Sequence, residues 1–286
     1  MARDYRRSDY DDYLKDDNLH INWYPGHMKK TKELVQNNLK LVDVVIELLD
    51  ARIPYSSKNP QIDQIVGNKP RVVVLNKSDL ANPANLSKWV NYYAKKGIKA
   101  IPVSTTKGNG VNKIIEECKN VTREMMDNLK AKGRTERAIR VMIVGVPNVG
   151  KSTLINKLTG RKSTQTGDKP GVTKSKQWVR LKGNLELLDT PGILWPKFED
   201  QEVALNLAFS RAIKDEILDI DTLGLKFIEK LMEIEPEKLM ARYKLTDLGE
   251  TPLETMEMIG RKRGFILGRQ ELDYTRIALT VLNEYR

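Results

Sequence analysis

The sequence predicts an α/β fold with a mostly parallel sheet, followed by a small all-α C-terminal domain. Three observations predict it. Four short aliphatic, β-branched runs alternate with stretches of helical periodicity between residues 29 and 144, as strand–helix–strand units do. The runs are apolar almost throughout rather than at alternate positions, as in strands covered on both faces. After Lys197 strand-like runs stop, and helical stripes follow one another.

The elements follow in order. Residues 1–18 mix Asp, Arg and Tyr with few aliphatic side chains. They bury too little to offset ordering entropy, so a disordered extension is expected. Ordered structure should begin near Ile21, and the α/β domain should occupy residues 19–201. Val42 to Leu49, Arg71 to Leu75, Ile98 to Val103 and Ala138 to Val144 read as strands, with Leu185 to Leu188 as a later apolar run. Helices are expected near 29–40, 59–66, 84–96 and 111–131. In the last, Val111, Ile114, Ile115, Cys118 and Met125 share one face, so Cys118 reads as a core residue rather than a reactive thiol. Residues 202–286 should form the helical domain. Leu223, Phe227, Leu231 and Ile234 make one stripe there, and Tyr274, Ile277, Ala278, Val281, Leu282 and Tyr285 another.

Composition sets the boundaries. The chain has 286 residues, 40% hydrophobic and 30% charged, which suits a globular protein of one large or two modest domains. It offers neither an 18-residue apolar span nor a secretory leader, so no membrane partner is expected. A single cysteine excludes an intrachain disulfide and fits the cytoplasm. The net charge of +11 points to a polyanionic partner. From Lys197 onward 14 basic residues meet 18 acidic ones, a balance of −4, so the rest of the chain carries +15.

The motifs give the chemistry. Gly145 to Ser152 fits G-x-x-x-x-G-K-S, entered by a strand and left by a helix beginning at Thr153. Its glycines let backbone amides wrap a phosphate chain. Lys151 would reach the β- and γ-phosphates and Ser152 would hold Mg²⁺. Asn148, Val149, Gly150, Lys151, Ser152 and Thr153 form this half of the candidate nucleotide site. Asp189-Thr190-Pro191-Gly192 stands 38 residues beyond Lys151, where Asp189 would hold the metal shell and the Gly192 amide would touch the γ-phosphate. Asn76-Lys77-Ser78-Asp79 fits N-K-x-D, which reads guanine. The Asp79 carboxylate can accept from N1–H and the exocyclic amine, a pair adenine lacks, and Lys77 would lie along the base. Ser78 or Asp79 could also cap the following helix. Ser104, Thr105 and Thr106, after the third strand, would offer backbone amides to guanine O6. Thr173, in Pro170-Gly171-Val172-Thr173, is the candidate for the mobile threonine that closes on Mg²⁺.

The motif order is unusual. Asn76 and Ser104 precede Gly145, whereas in the common GTPase arrangement the phosphate loop comes first. A sheet can still close after such permutation. In this order the sequence resembles the circularly permuted GTPases of ribosome assembly, most closely the ribosome biogenesis GTPase A family. Further shared segments are Trp23 to Met28, Asp50-Ala51-Arg52, Gln177-Trp178 and Ala212 to Glu216. Together they span about residues 21–286.

The resemblance implies a circularly permuted P-loop GTPase, bacterial and cytoplasmic. It would bind the large ribosomal subunit and its rRNA during late assembly, with GTP and GDP as ligands and as a monomer in solution. Many GTPases place a glutamine after Asp-x-x-Gly to orient water; here that position is Ile193. The resemblance favours His27 as the water-positioning catalytic residue instead. It also implies a second device, a K⁺ held partly by Asn148. The competing reading is an RNA-binding assembly scaffold whose nucleotide site is structural and nearly inactive. The Lys29-Lys30-Lys32 and Arg261-Lys262-Arg263 clusters are the expected RNA contacts. The first 18 residues inherit nothing from the resemblance.

Overall fold

The computed structural model describes residues 28–134, 137–160, 178–188, 200–268 and 271–286. The described residues divide into two units, 28–188 and 200–286.

In the first unit helix α1 (Met28–Leu39) leads to β1 (Val44–Asp50), then to the short helices α2 (Pro54–Ser57) and α3 (Ile62–Val66). β2 (Arg71–Asn76), α4 (Pro83–Lys95), β3 (Lys99–Val103) and α5 (Val111–Ala131) follow, then β4 (Ile139–Gly145), α6 (Lys151–Thr159), β5 (Trp178–Leu181) and β6 (Leu185–Leu188). The six strands lie in the order β3-β2-β1-β4-β6-β5. All pairings are parallel except β5 with β6. β1 is buried at every position, as its unbroken apolar run requires of a central parallel strand.

Chain direction across the sheet reverses between β1 and β4. One progression runs β1, β2, β3 to one edge, the other β4, β6, β5 to the opposite edge. Such a switch point opens a crevice at the carboxyl ends of the strands. Register brings the motifs to that end, pairing Asp50 with Asn76, Asn76 with Val103 and Leu48 with Gly145. At the opposite end the Arg137 guanidinium donates to both Asp43 oxygens at 2.6 and 2.8 Å. Burial raises the Asp43 carboxyl, but these bonds outweigh it and hold it below its ordinary value. The clamp joins residues 94 apart in the chain.

Several expectations need correction. The helix expected over 59–66 is shorter, Ile62–Val66, and an additional short helix, Pro54–Ser57 with proline in its first turn, precedes it. β5 was not foreseen as a strand: its four residues include an exposed Arg180, and it pairs antiparallel to β6. In α5, Thr122 rather than Met125 continues the buried face, its hydroxyl donating to the Cys118 carbonyl at 2.7 Å. Cys118 is a core residue, and burial pushes its thiol up to about 12.

Glu47 is the exception inside the sheet. It stands at 2% exposure on the central strand, beside a small cavity lined also by Ser57, Asn59 and Gly145. Arg71 approaches to 3.3 Å, yet neither carboxylate oxygen of Glu47 accepts a hydrogen bond. Arg71 turns its other nitrogen to Asp63 at 2.7 Å, and Lys58 joins Asp63 at 2.8 Å. Desolvation therefore wins over the charges of Arg71 and Lys58, and the Glu47 carboxyl is pushed up to about 7 from 4.5. A folded-state value above the unfolded one means stability is lost as pH rises from 4.5 to 7. For a shift of this size the loss is about 3 kcal/mol. Glu47→Gln should escape it. The stability difference, variant minus parent, should grow by about that amount between pH 5 and pH 8 in denaturant titrations. A difference independent of pH would refute this account.

In the second unit helices follow in series: α7 (Gln201–Phe209), α8 (Ile220–Ile234), α9 (Pro236–Tyr243), α10 (Pro252–Arg263) and α11 (Tyr274–Tyr285). Asp200, Asp219, Thr251 and Asp273 cap α7, α8, α10 and α11 through side-chain oxygens. α8 packs on α11 where Gly224 meets Ala278, and a Cβ on that glycine would lie 2.7 Å from the Ala278 Cα. The α11 stripe is buried at Ile277, Ala278, Val281 and Leu282. The α8 stripe stops short, since Ile234 is 58% exposed. Ile266 and Leu272 form an isolated antiparallel bridge, so the region is not wholly without β pairing. Among the described residues no helix is long and apolar enough to cross a membrane.

Candidate functional site

The crevice at the strand ends is built around Asn76. This last residue of β2 is 1% exposed. Its Nδ2 donates to the Val149 carbonyl at 2.8 Å, and its Oδ1 accepts from the Thr105 amide at 3.2 Å. One side chain thus ties three loops that lie far apart in sequence. Each buried bond of this kind is worth about 1 kcal/mol, and an orphaned partner costs more.

The loop between β4 and α6 turns through left-handed backbone at Asn148 (φ 57°) and Gly150 (φ 100°). Gly150 has no substitute here, because a Cβ would run into the Asn76 Nδ2. Val149 is buried under the loop. Lys151, Ser152 and Thr153 make the half-buried first turn of α6. That turn points amide donors and the positive end of the helix dipole at the crevice, a binding place for phosphate.

Lys77 also adopts left-handed backbone, at φ 59°. Its ammonium lies 3.2 Å from Asp50. Asp50 ends β1 and is held by Arg52, whose Nε and Nη2 donate to its two oxygens at 2.9 and 2.7 Å. The Asp50 amide donates to the Ser57 hydroxyl at 3.0 Å. Burial raises the Asp50 carboxyl, but Arg52 and Lys77 outweigh that and hold it below its ordinary value. Burial lowers the Lys77 ammonium, with Asp50 opposing. Asp50 and Arg52 had only the Asp-Ala-Arg segment at a strand end as their signal. In the structure Arg52 orients Asp50, and Asp50 pairs with Lys77.

Asp79 lies in a short 3₁₀ turn, Ser78–Leu80. Its carboxyl is lowered, first by a hydrogen bond from the Ser104 side chain and then by Lys107, whose ammonium is 3.3 Å away. The following helix is capped by Asn82, which accepts from Ala84 and Asn85. Neither Ser78 nor Asp79 performs that role.

Ser104 and Thr105 are buried, but their amides are already engaged. The Ser104 amide donates to the Asn109 carbonyl at 3.0 Å, and the Thr105 amide serves Asn76. Two of the three loop amides expected to face a base thus have partners within the protein, and Thr106 supplies the third. His27, Thr173, Asp189, Gly192 and Ile193 lie outside the described residues. So do the side chains of Lys29, Lys30 and Lys32. Of the second basic cluster, Arg263 is committed to Glu284 at 3.2 Å and to the Tyr243 ring at 5.2 Å.

Residues 140–249 match the family described as 50S ribosome-binding GTPase. Proteins named Ribosome biogenesis GTPase A are similar along nearly the whole chain. That of Priestia megaterium is 48% identical over 267 residues, covering 93% of both chains. That of Thermotoga maritima is 32% identical over 246 residues, covering 86% of this chain and 82% of its own. The crystal structure of GNP-bound YlqF from T. maritima matches with a TM-score of 0.62 at 28% identity, covering 90% of this chain and 93% of that one.

Proposed function

The chain belongs to the ribosome biogenesis GTPase A family, and from that premise we propose that it hydrolyses GTP to GDP and phosphate as a switch on the large ribosomal subunit late in its assembly. The observation that carries the reading is the Asn76 clasp, which joins the N-K-x-D strand end to both the phosphate loop and the Ser104–Thr106 loop. A GTP-specific site needs those three loops in one place.

In this reading Asp79 is an ionised acceptor for guanine N1–H and the exocyclic amine. It exchanges its contacts with Ser104 and Lys107 for the base. The Lys77 stem, anchored through Asp50, lies along the ring. The Thr106 amide donates to O6. Loop amides from Asn148 to Lys151 take the β-phosphate, and the Lys151 ammonium takes the β- and γ-phosphates. Ser152 offers a hydroxyl oxygen in the first turn of α6, the hard donor that Mg²⁺ accepts. With Asp189 and Thr173 it would hold the ion, whose charge neutralises phosphate oxygens. Gly192 meets the γ-phosphate and His27 orients water. The domains divide the work, residues 19–201 carrying the nucleotide and residues 202–286 the helical platform, in the cytoplasm.

The test is phosphate release with and without purified large ribosomal subunits. Turnover should be slow alone and at least tenfold faster with subunits, as expected when positioning of a catalytic group completes the site. Equal, negligible rates in both would overturn the switch and leave a scaffold.

A further inference from the structure

From Leu80 to Ile115 the chain carries six lysines and no acidic residue. Four of them fall between residues 88 and 99. Lys88 and Lys95 lie on α4 at positions i and i+7, with Tyr92 between them at i+4, Lys96 is the C-cap of the helix, and Lys99 opens β3. All four lysines are exposed. β3 is the outer strand of the sheet. Among the described residues none of the four joins an ion pair, and only Lys107 in the stretch does, with Asp79. Tyr92 is 41% exposed and carries the Lys96 ammonium 4.4 Å above its ring.

Like charges this near in the chain, with no acidic residue between Leu80 and Ile115, repel one another in the free protein. A polyanion removes that repulsion and gains from released counterions. The α4 face away from the lysines is already used: Leu86, Trp89, Val90 and Tyr93 pack on the sheet. No apolar face remains for a bilayer, which an interfacial helix needs. Lysine on an edge strand also discourages strand addition by another protein. We propose that this face, Lys88, Lys95, Lys96 and Lys99, is a docking surface for the sugar-phosphate backbone of RNA. The proposal rests on the reading of the chain as a large-subunit binder. It adds a consequence for the site. α4 and β3 form the connection between the Asn76–Asp79 and Ser104–Thr106 loops, so RNA held here bears on both ends of the base-reading half.

The test uses the full chain with all four lysines changed to glutamine, and a second variant with all four changed to arginine. The probe is protein-free rRNA extracted from large subunits, titrated over a range of salt concentrations. The glutamine variant should lose about tenfold or more in affinity near ~100 mM salt, and its log–log salt slope should shrink by about 3. The arginine variant should restore both, and GTP affinity should be unchanged in each. A parent that binds rRNA with a glutamine variant of equal affinity and slope overturns this surface and leaves the proposed function standing. A parent that binds no rRNA sinks the RNA reading itself. Loss of binding to phosphatidylserine vesicles with rRNA binding intact would assign the face to a membrane and refute the proposal.

Discussion

Asp79→Asn should lower GTP affinity on the order of 10³-fold and return much of it to xanthosine triphosphate. Two hydrogen bonds to a charged acceptor are at stake, each worth about 1.5–3 kcal/mol. The variant amide opposes guanine N1–H and the exocyclic amine with a donor of its own, whereas the 2-oxo group of xanthine accepts from that donor. Asp79 is well prepared for the proposed role. Ser104 and Lys107 hold its carboxyl below the ordinary value, so it is an acceptor throughout the working pH range. The substitution leaves the Asn76 clasp untouched, so the loops should remain in place. Titration of the parent and variant with GTP, ATP and xanthosine triphosphate reads the effect. Equal affinity of the parent for GTP and ATP would sink the guanine assignment.

His27→Ala should lower subunit-stimulated turnover by about 10²-fold, the lower end of what a positioned acid–base group contributes, while GTP affinity stays within about twofold of the parent. Ile193 cannot hydrogen-bond the attacking water, so a polar group must come from elsewhere, and the resemblance to the family favours His27, one of two histidines in the chain. The weak rate without subunits should change much less. Lys151→Ala provides the contrast, because Lys151 is in the turn proposed to receive the phosphates and its loss should damage nucleotide binding directly. If His27→Ala turns over on subunits as fast as the parent, the His27 role fails and the K⁺ that Asn148 would help hold becomes the better source of assistance.

The central strands were legible because burial on both faces leaves no room for alternation: Val44–Asp50 and Arg71–Asn76 announce themselves by composition alone. β5 did not, since Trp178–Leu181 is short, includes a charge and pairs at an edge where one side is open. Ile234 followed the α8 period but is the last residue of the helix and stays exposed. The phosphate and base motifs were legible as residue types. Their internal accounting was not. That the Thr105 amide belongs to Asn76 depends on a contact across 29 residues, which local spacing does not encode. The Asp50–Lys77 pair likewise needs the β1–β2 register to become visible. Left-handed backbone at Lys77 has no sequence signal, because lysine has no preference for it.

The two bonds of Asn76 differ in chain separation, 29 residues to Thr105 and 73 to Val149. The longer loop costs only about 0.8 kcal/mol more to close, so the difference matters for timing rather than for final stability. Synthesis delivers β1, β2 and β3 first, and an amino-terminal segment can begin to fold while the remainder is still being made. The base-reading half can therefore assemble on the nascent chain with the carboxamide of Asn76 satisfied on one side only. Val149 arrives later and closes the other. Because a ligand stabilises only the state it binds, GTP can reward the finished sheet and no earlier intermediate, which makes nucleotide occupancy a report that the protein's own folding is complete.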